Sequence, residues 1–233
     1  MAAGSEQHYR GEAGLRYQQQ KRAVPEAAVP WVARLRAEKL QPLVRPTDCV
    51  VELGVGLGWN LIDLKCASRV ATDLEDYLPQ EVKHGGVEFR GSSSEIADES
   101  ADVVICHHVL EHVEQPIQML LEIRRILKRG GEALIFVPYE KESKYRHYDP
   151  AEPNHHLYSW NVQTLGNLVA SQHFVIEKAE TGEFGYDRFA AKLALRLRMG
   201  EGVFRVIRRV AHLLSPGREV RIVARKEAIG GKA

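Results

Sequence analysis

Apolar positions along this chain fall into two repeating patterns that take turns, short unbroken or alternating runs and longer stretches with helical spacing. Cys49-Val50-Val51-Glu52-Leu53 reads as a short buried strand, followed by strands at Arg69–Asp73, Val87–Phe89 and Ala101–Cys106. Ala133–Val137 is a fifth, and its continuous apolar run suits a sheet covered on both faces. A sixth follows at Phe174–Lys178, and Glu219–Ala224 alternates strictly, which predicts a last, partly exposed strand. Between them the period changes to that of a helix. Pro30 fits the first turn of a helix reaching Leu40, and a short one is expected at Trp59–Lys65. Pro116–Lys128 buries Ile117, Leu120, Leu121, Ile123 and Leu127, with Gly130-Gly131 as a left-handed stop, and Trp160–Ser171 forms another helix. Residues 1 to about 24 are polar and without period, which predicts a mobile arm.

Strand–helix alternation of this kind predicts a doubly wound α/β sandwich, its sheet mostly parallel with an antiparallel last strand. One domain is expected. It comprises an arm and helix (1–44), a core (45–180), a helical insertion or cap (181–218) and a last strand with its tail (219–233). Ligands of such sheets lie beyond the carboxyl ends of the strands, so the loops after each strand are where chemistry is expected.

Composition narrows the class only a little. At 233 residues the chain has room for one sizeable core, and a net charge of +1 gives no global reason to expect nucleic acid. Three cysteines, Cys49, Cys66 and Cys106, form no CxxC pair, so reduced thiols are expected rather than disulfides or a cysteine zinc site. The first ten residues lack the apolar region of a secretory signal, and Ala133–Pro138, the longest apolar run, is too short to span a bilayer. A cytoplasmic protein, or one peripheral to a membrane, is the expectation.

The first candidate chemistry is the loop Gly54-Val55-Gly56-Leu57-Gly58, which follows a strand and opens the next segment. Gly56 leaves no Cβ where a ligand must approach the backbone, although such glycines also serve simply to make a tight turn. A dinucleotide loop, G-x-G-x-x-G, would need glycine at 59, where this chain has Trp59. Asp73 ends the second strand, where an acid accepts ribose hydroxyls of either kind of adenosine cofactor.

The form Glu52-x-Gly54-x-Gly56-x-Gly58 resembles motif I of the class I S-adenosylmethionine-dependent methyltransferases. Ala101 to Val113, with its Leu110-Glu111-His112, is similar to the fourth-strand segment of the methyltransferase type 11 family. Glu122 to Gly131 and Asn154-His155-His156-Leu157-Tyr158-Ser159 resemble that family's next helix and its later His-containing element. The resemblance covers about residues 45 to 180 and implies a Rossmann-like fold. It also implies S-adenosylmethionine as cofactor, with Glu52, Gly54, Gly56 and Gly58 around its methionine part. Asp73 would hold the ribose, Leu74 would pack near the adenine, and Cys106 and His107 would lie by the sulfonium. Ser92 and Ser93 stand where the family usually has an adenine-binding Asp. A nicotinamide-dependent oxidoreductase is the alternative, disfavoured by Trp59, and a cofactor-binding protein without turnover is another.

If the acceptor is a hydroxyl, a histidine base suits the reaction at neutral pH. His107, His108, His112, His147, His155 and His156 lie in loops or loop edges expected to face the site. His108 and His156 are the candidate bases, with His107 beside them, and Tyr139, His155 and Tyr158 are candidates for shaping the acceptor pocket. Each histidine has a structural reading too. The expected acceptor is a small molecule, a sugar or a lipid-linked intermediate, and no metal is assigned. His108-Val109-Leu110-Glu111-His112 does fit the inverted zinc-peptidase pattern H-x-x-E-H, but it follows a strand directly. The loop after the fourth strand lacks an Asn/Asp-Pro-Pro-aromatic tetrad, which argues against DNA bases or glutamine amides as acceptors.

From Asp187 to Arg218 eight basic residues face two acids. Arg188, Lys192 and Arg196 recur every fourth residue beside Phe189, Leu193 and Leu197, and a second amphipathic helix follows over Val203–Leu214. These helices either cover the sheet, or cap an acceptor pocket, or lie on an anionic membrane through 187–214. Tyr9 and Tyr17 of the arm are placed to close over bound cofactor.

Overall fold

The computed structural model describes residues 5–19, 24–140, 147–150 and 152–227. Its centre is one seven-stranded sheet made of β1 (Cys49–Leu53), β2 (Ser68–Thr72), β3 (Val87–Arg90), β4 (Ala101–His107), β5 (Leu127–Pro138), β6 (Phe174–Glu183) and β7 (Arg218–Lys226). The order across it is β3-β2-β1-β4-β5-β7-β6. The first five strands pair in parallel, and β7 runs antiparallel to both β5 and β6. The expected doubly wound, mostly parallel architecture is what the chain adopts.

Helices cover both faces of this sheet. Those described are α1 (Gly11–Tyr17), α2 (Val29–Leu40), α3 (Gln80–His84), α4 (Pro116–Ile126), α5 (Val162–Ser171), α6 (Asp187–Arg196) and α7 (Glu201–Leu214). On one face Leu120, Ile123 and Ile126 of α4 and Leu165 and Val169 of α5 pack on Val104, Ile135 and Ile222. On the other, Leu40, Leu61, Leu64 and Val82 pack on Val50, Ile105 and Phe136. A third cluster joins Ala28, just before α2, and Val32 of α2 to Ala190, Ala191 and Ala194 of α6 and Phe204 of α7. Small residues on α6 let the three helices approach closely, and ion pairs fasten their rims. Arg36 and Arg208 both hold Asp187 at 2.8 Å, and Arg205 holds Glu38 and Glu201 at 2.7 and 2.8 Å.

Four expectations need correction. The segment 59–65 is a run of turns with bonds such as Leu61 N–H to Gly58 O (3.0 Å), not a helix, because the chain must re-enter the sheet at Ser68. Helix α4 ends at Ile126, where Leu127 turns to extended backbone, Gly130 takes its left-handed φ of 74° within β5, and Ile117 and Leu121, expected on the buried side of α4, are exposed. Strand β7 is interior, not partly exposed, with Val220, Ile222, Val223 and Ala224 buried between β5 and β6. Its alternating polar residues signalled function at one strand end instead of solvent along one face.

The fourth concerns the arm. A 3₁₀ turn at Ser5–Tyr9 and helix α1 form there. Tyr9 Oη donates to Asn154 O at 2.5 Å and lies 2.7 Å from His112 Nδ1, and Tyr77 Oη donates to Tyr9 O at 3.0 Å. Rings rather than aliphatic side chains hold the arm, His8 stacking on His155 at 5.0 Å and Tyr9 edge-on to Tyr17 at 5.1 Å. A search for hydrophobic periodicity does not register such contacts. Gln20, from the arm's polar run, lies outside the described residues. Among the described residues no helix is long and apolar enough to cross a membrane.

Helix α5 begins with a capping box, in which the Asn161 side chain accepts from Thr164 N at 2.9 Å and Thr164 Oγ1 accepts from Asn161 N at 3.2 Å. Asn161→Ala removes one half of it and is expected to cost about 1 kcal/mol. Thermal unfolding should show this as a fall in Tm of about 2–4 °C.

Candidate functional site

The carboxyl ends of β1, β2, β4 and β5 and the first residue of β7 meet along one edge of the sheet. A cavity of about 1630 Å³ opens there. That exceeds the several hundred to about 1,000 Å³ of an ordinary single-ligand pocket, so it accommodates a cofactor and an acceptor side by side.

The glycine loop forms one wall. Gly54 and Val55 donate their N–H groups to Thr72 O at 2.8 and 3.0 Å, which folds the loop back over β2. Gly54 has φ 73°, and a Cβ there would collide with Val109 Cγ2, so the first glycine lets the β1 and β4 loops touch. Gly56, φ 53°, is different. A Cβ at 56 would meet nothing closer than the Gln18 amide at 3.5 Å, because this position faces the cavity. Its N–H donates to Asp73 Oδ2 at 2.7 Å, and Leu74 N–H donates to Asp73 Oδ1 at 2.7 Å. The carboxylate is thereby fixed at the wall beside the loop, where ribose hydroxyls would be read. A backbone cradle that a side chain would fill, next to a positioned acid, fits an adenosine cofactor. Leu74, Ser92 and Ser93 line the same end.

Three residues assigned to this half stand elsewhere. Glu52 is buried behind the loop, accepting from Asn60 Nδ2 at 2.6 Å, and it is Asn60 that reaches the cavity. Gly58 underlies the loop, where a Cβ would press on Leu78 and Val82 at 2.8 and 2.9 Å. Cys106 lies in the core beneath the site, and burial pushes its thiol well above the ordinary range. The inward pleat of a strand decides this, since Cys106 and His107 point to opposite faces.

The other half is built by histidines and carboxylates. His107 ends β4, and His108 follows with a φ of 57°, a left-handed conformation uncommon for a residue with a side chain. Its N–H donates to Phe136 O at 2.8 Å, which holds that turn against β5. The two imidazoles stack at 4.4 Å and Phe184 packs 4.2 Å from the His108 ring. His108 Nε2 lies 3.3 Å from Glu219 Oε2, and His108 Nδ1 lies 4.0 Å from Glu111 Oε1. On the opposite side Tyr139, Glu140 and His156 line the cavity, with His156 Nδ1 3.0 Å from Glu140 Oε1. Glu111, His112 and His156 bring donor atoms within 4.8 Å of one another. Residues 108–112 form a bend and turn instead of a helix, so His108 and His112 do not share the face that the inverted zinc-peptidase pattern needs. His155, Tyr158 and His147 are exposed and off the wall, His155 against His8 and Tyr158 Oη donating to Glu114 O at 3.1 Å.

Glu219 is the residue that sequence reasoning missed. It has no exposed surface, yet it accepts from Lys39 Nζ at 3.1 Å and Arg221 Nε at 2.8 Å as well as facing both histidines. Burial by itself would raise its pKa. Hydrogen bonds from His107 and His108 and the charge of Lys39 outweigh that and hold the carboxyl well below the usual carboxylate range. Lys39 lies 2.9 Å from His107 Nε2, and burial pushes its amine down to about 7 against the opposing pull of Glu219. Burial, then Lys39 and His108, keep His107 well below its ordinary value, hence neutral. The signal for Glu219 was a lone acid opening an apolar strand. It gains meaning only once β7 is known to run antiparallel, opposite Pro138 at the end of β5.

Because the folded-state pKa of Glu219 is depressed, its stabilisation is fully present above its ordinary value of 4.5 and is lost as pH falls. Glu219→Gln should therefore lower stability at pH 7, with the gap from the parent closing by about 1.4 kcal/mol per pH unit below that value. Urea unfolding at a series of pH values measures it. A gap independent of pH would show that the carboxylate is not the source.

A protein-family model described as "Methyltransferase domain" matches residues 51–135, the segment from β1 through the glycine loop to the middle of β5. No curated protein matches the sequence. Among solved structures, the chain is similar to the Burkholderia thailandensis 1,6-didemethyltoxoflavin-N1-methyltransferase, a complex with 1,6-didemethyltoxoflavin and S-adenosylhomocysteine. The two are 18% identical with a TM-score of 0.65, covering 98% of this chain and 92% of that one. Haemonchus contortus phosphoethanolamine N-methyltransferase 2, in complex with S-adenosyl-L-methionine, is 14% identical with a TM-score of 0.61, covering 97% and 60%. The [4+2]-cyclase SpnF is 16% identical with a TM-score of 0.59, covering 89% and 84%. At these identities the structures establish the fold, whereas the family match covers the glycine loop and the strands around it. Residues 51–135 are a methyltransferase domain of the type 11 family, and the chain as a whole has the fold of the S-adenosylmethionine-dependent methyltransferases.

Proposed function

We propose that this enzyme methylates a hydroxyl of a small molecule, a sugar or a lipid-linked intermediate, with His108 as the general base. The observation that supports this most is the pairing of His108, which lines the cavity, with the buried, ionised carboxylate of Glu219 behind it. S-Adenosylmethionine supplies the activated methyl carbon, so the protein's tasks are to bind, orient, exclude water and receive a proton.

Glu219 only accepts hydrogen bonds when ionised, so the proton of neutral His108 resides on Nε2. Nδ1 then carries the lone pair that takes the acceptor's hydroxyl proton, and the carboxylates of Glu219 and Glu111 on either side favour the imidazolium that forms. His156, oriented by Glu140, faces the same space and positions the acceptor along with Tyr139. Gly54, Gly56 and Asp73 hold the cofactor, with Leu74, Ser92 and Ser93 around its adenine.

Two expected outcomes test this reading. Asp73→Ala should abolish S-adenosylmethionine binding by calorimetry in protein whose circular dichroism shows it folded, and retained affinity would move the ribose site elsewhere. In an acceptor screen by labelled methyl transfer, His108→Gln should lower kcat by about 10²–10⁴-fold on an alcohol with cofactor affinity intact. His156→Gln should act mainly on the acceptor KM. Transfer only to amines, insensitive to His108→Gln, would overturn the proposal.

A further inference from the structure

The outer face of the α6–α7 pair is apolar where solvent would call for polar residues. Helix α7 turns Phe204 and His212 inward, and its opposite side presents Val206, Val210 and Leu213, spaced i, i+4, i+7. Leu213 and Leu214 are 76% and 83% exposed, values far beyond ordinary surface scatter when they sit together. Phe189 at the start of α6, and Leu197 and Met199 in the turn between the helices, are more than half exposed too.

Positive charge surrounds this face. Lys192, Arg196, Arg198 and Arg209 are all exposed, and none makes an ion pair among the described residues. The inward-facing Arg205 and Arg208, by contrast, are neutralised by Glu38, Glu201 and Asp187. The fold thus settles the charges on its inner side and leaves the outer ones for something else.

We infer that this face docks on an anionic phospholipid surface, its aliphatic side chains entering the headgroup boundary and its four cations meeting lipid phosphates. Apolar burial combined with unpaired Lys and Arg is the chemistry by which an amphipathic helix lies on such a membrane. The site's position agrees. Tyr186 donates to Ser215 O at 2.7 Å, so the start of α6 lies against the end of α7, and both residues line the cavity. Phe189 and Leu214 are the chain neighbours of Arg188 and Ser215, which line the cavity, so the apolar face adjoins its mouth. Docked in this way, the mouth opens at the lipid headgroups. This deepens the proposed function by selecting the lipid-linked class of acceptor, and it rests on that reading only for the selection.

The test is co-sedimentation of the full chain with vesicles, a readout that does not depend on methyl transfer. Vesicles of phosphatidylcholine containing a third phosphatidylglycerol should bind the protein, pure phosphatidylcholine should not, and added salt should weaken binding. Charge reversal of Lys192, Arg196 and Arg209 to Glu should reduce partitioning more than tenfold, since each charge near an anionic surface contributes about fivefold. Val206→Ser, Leu213→Ser and Leu214→Ser together should do likewise, with unchanged thermal unfolding because all three side chains are exposed. No preference for anionic vesicles would overturn the inference. So would a dimer in size-exclusion chromatography that the serine variant dissolves, with no vesicle binding, since a second copy would then cover the face.

Discussion

A single fully buried carboxylate, Glu219, sits where three separate parts of the chain must agree. Lys39 reaches it from α2, His107 and His108 from the end of β4, and Arg221 from its own strand. A carboxylate without exposed surface carries a desolvation penalty of several kcal/mol unless it is hydrogen-bonded and paired. That requirement fixes the approach of α2 to the sheet and the orientation of both imidazoles. It also requires β7 to begin at the carboxyl edge, which antiparallel insertion between β5 and β6 achieves.

One edge of the sheet gathers two kinds of wall because the parallel strands deliver their loops to it together. At the β1 and β2 loops, backbone amides and Asp73 are held by short hydrogen bonds. At the β4 and β5 ends, titratable side chains converge on the cavity. Val109, in contact range of Gly54, joins the two, so the cofactor loop and the histidine pair are one packed unit. The arm contributes Tyr9 and Tyr17 to the cavity lining, and α2 and α6 contribute Arg36, Asp187 and Arg188.

The strands were legible in the sequence because continuous or alternating apolar runs determine them, and strand order follows from alternation with helices. That Gly54, Gly56, Asp73, His107, His108 and His156 meet at one cavity was legible, because each follows a strand or matches a family motif. The motif over-reached at Glu52, Gly58 and Cys106, which support the loop and core from behind, since a motif records spacing and not which side of a strand faces the ligand. Lys39 and Arg36 were hidden within an amphipathic helix as ordinary polar positions. Glu219 was hidden in an alternation that normally means solvent. Their roles come from tertiary packing across more than a hundred residues, which local pattern does not encode.

If the buried Glu219 carboxylate prepares His108 to take a proton, it holds the imidazole proton on Nε2. Nitrogen-15 NMR of the imidazoles, in protein saturated with S-adenosylhomocysteine, reads the tautomer directly. His108 is expected to be protonated on Nε2 and unprotonated on Nδ1, with that preference lost in Glu219→Gln. A His108 protonated on Nδ1 in the parent protein would contradict it.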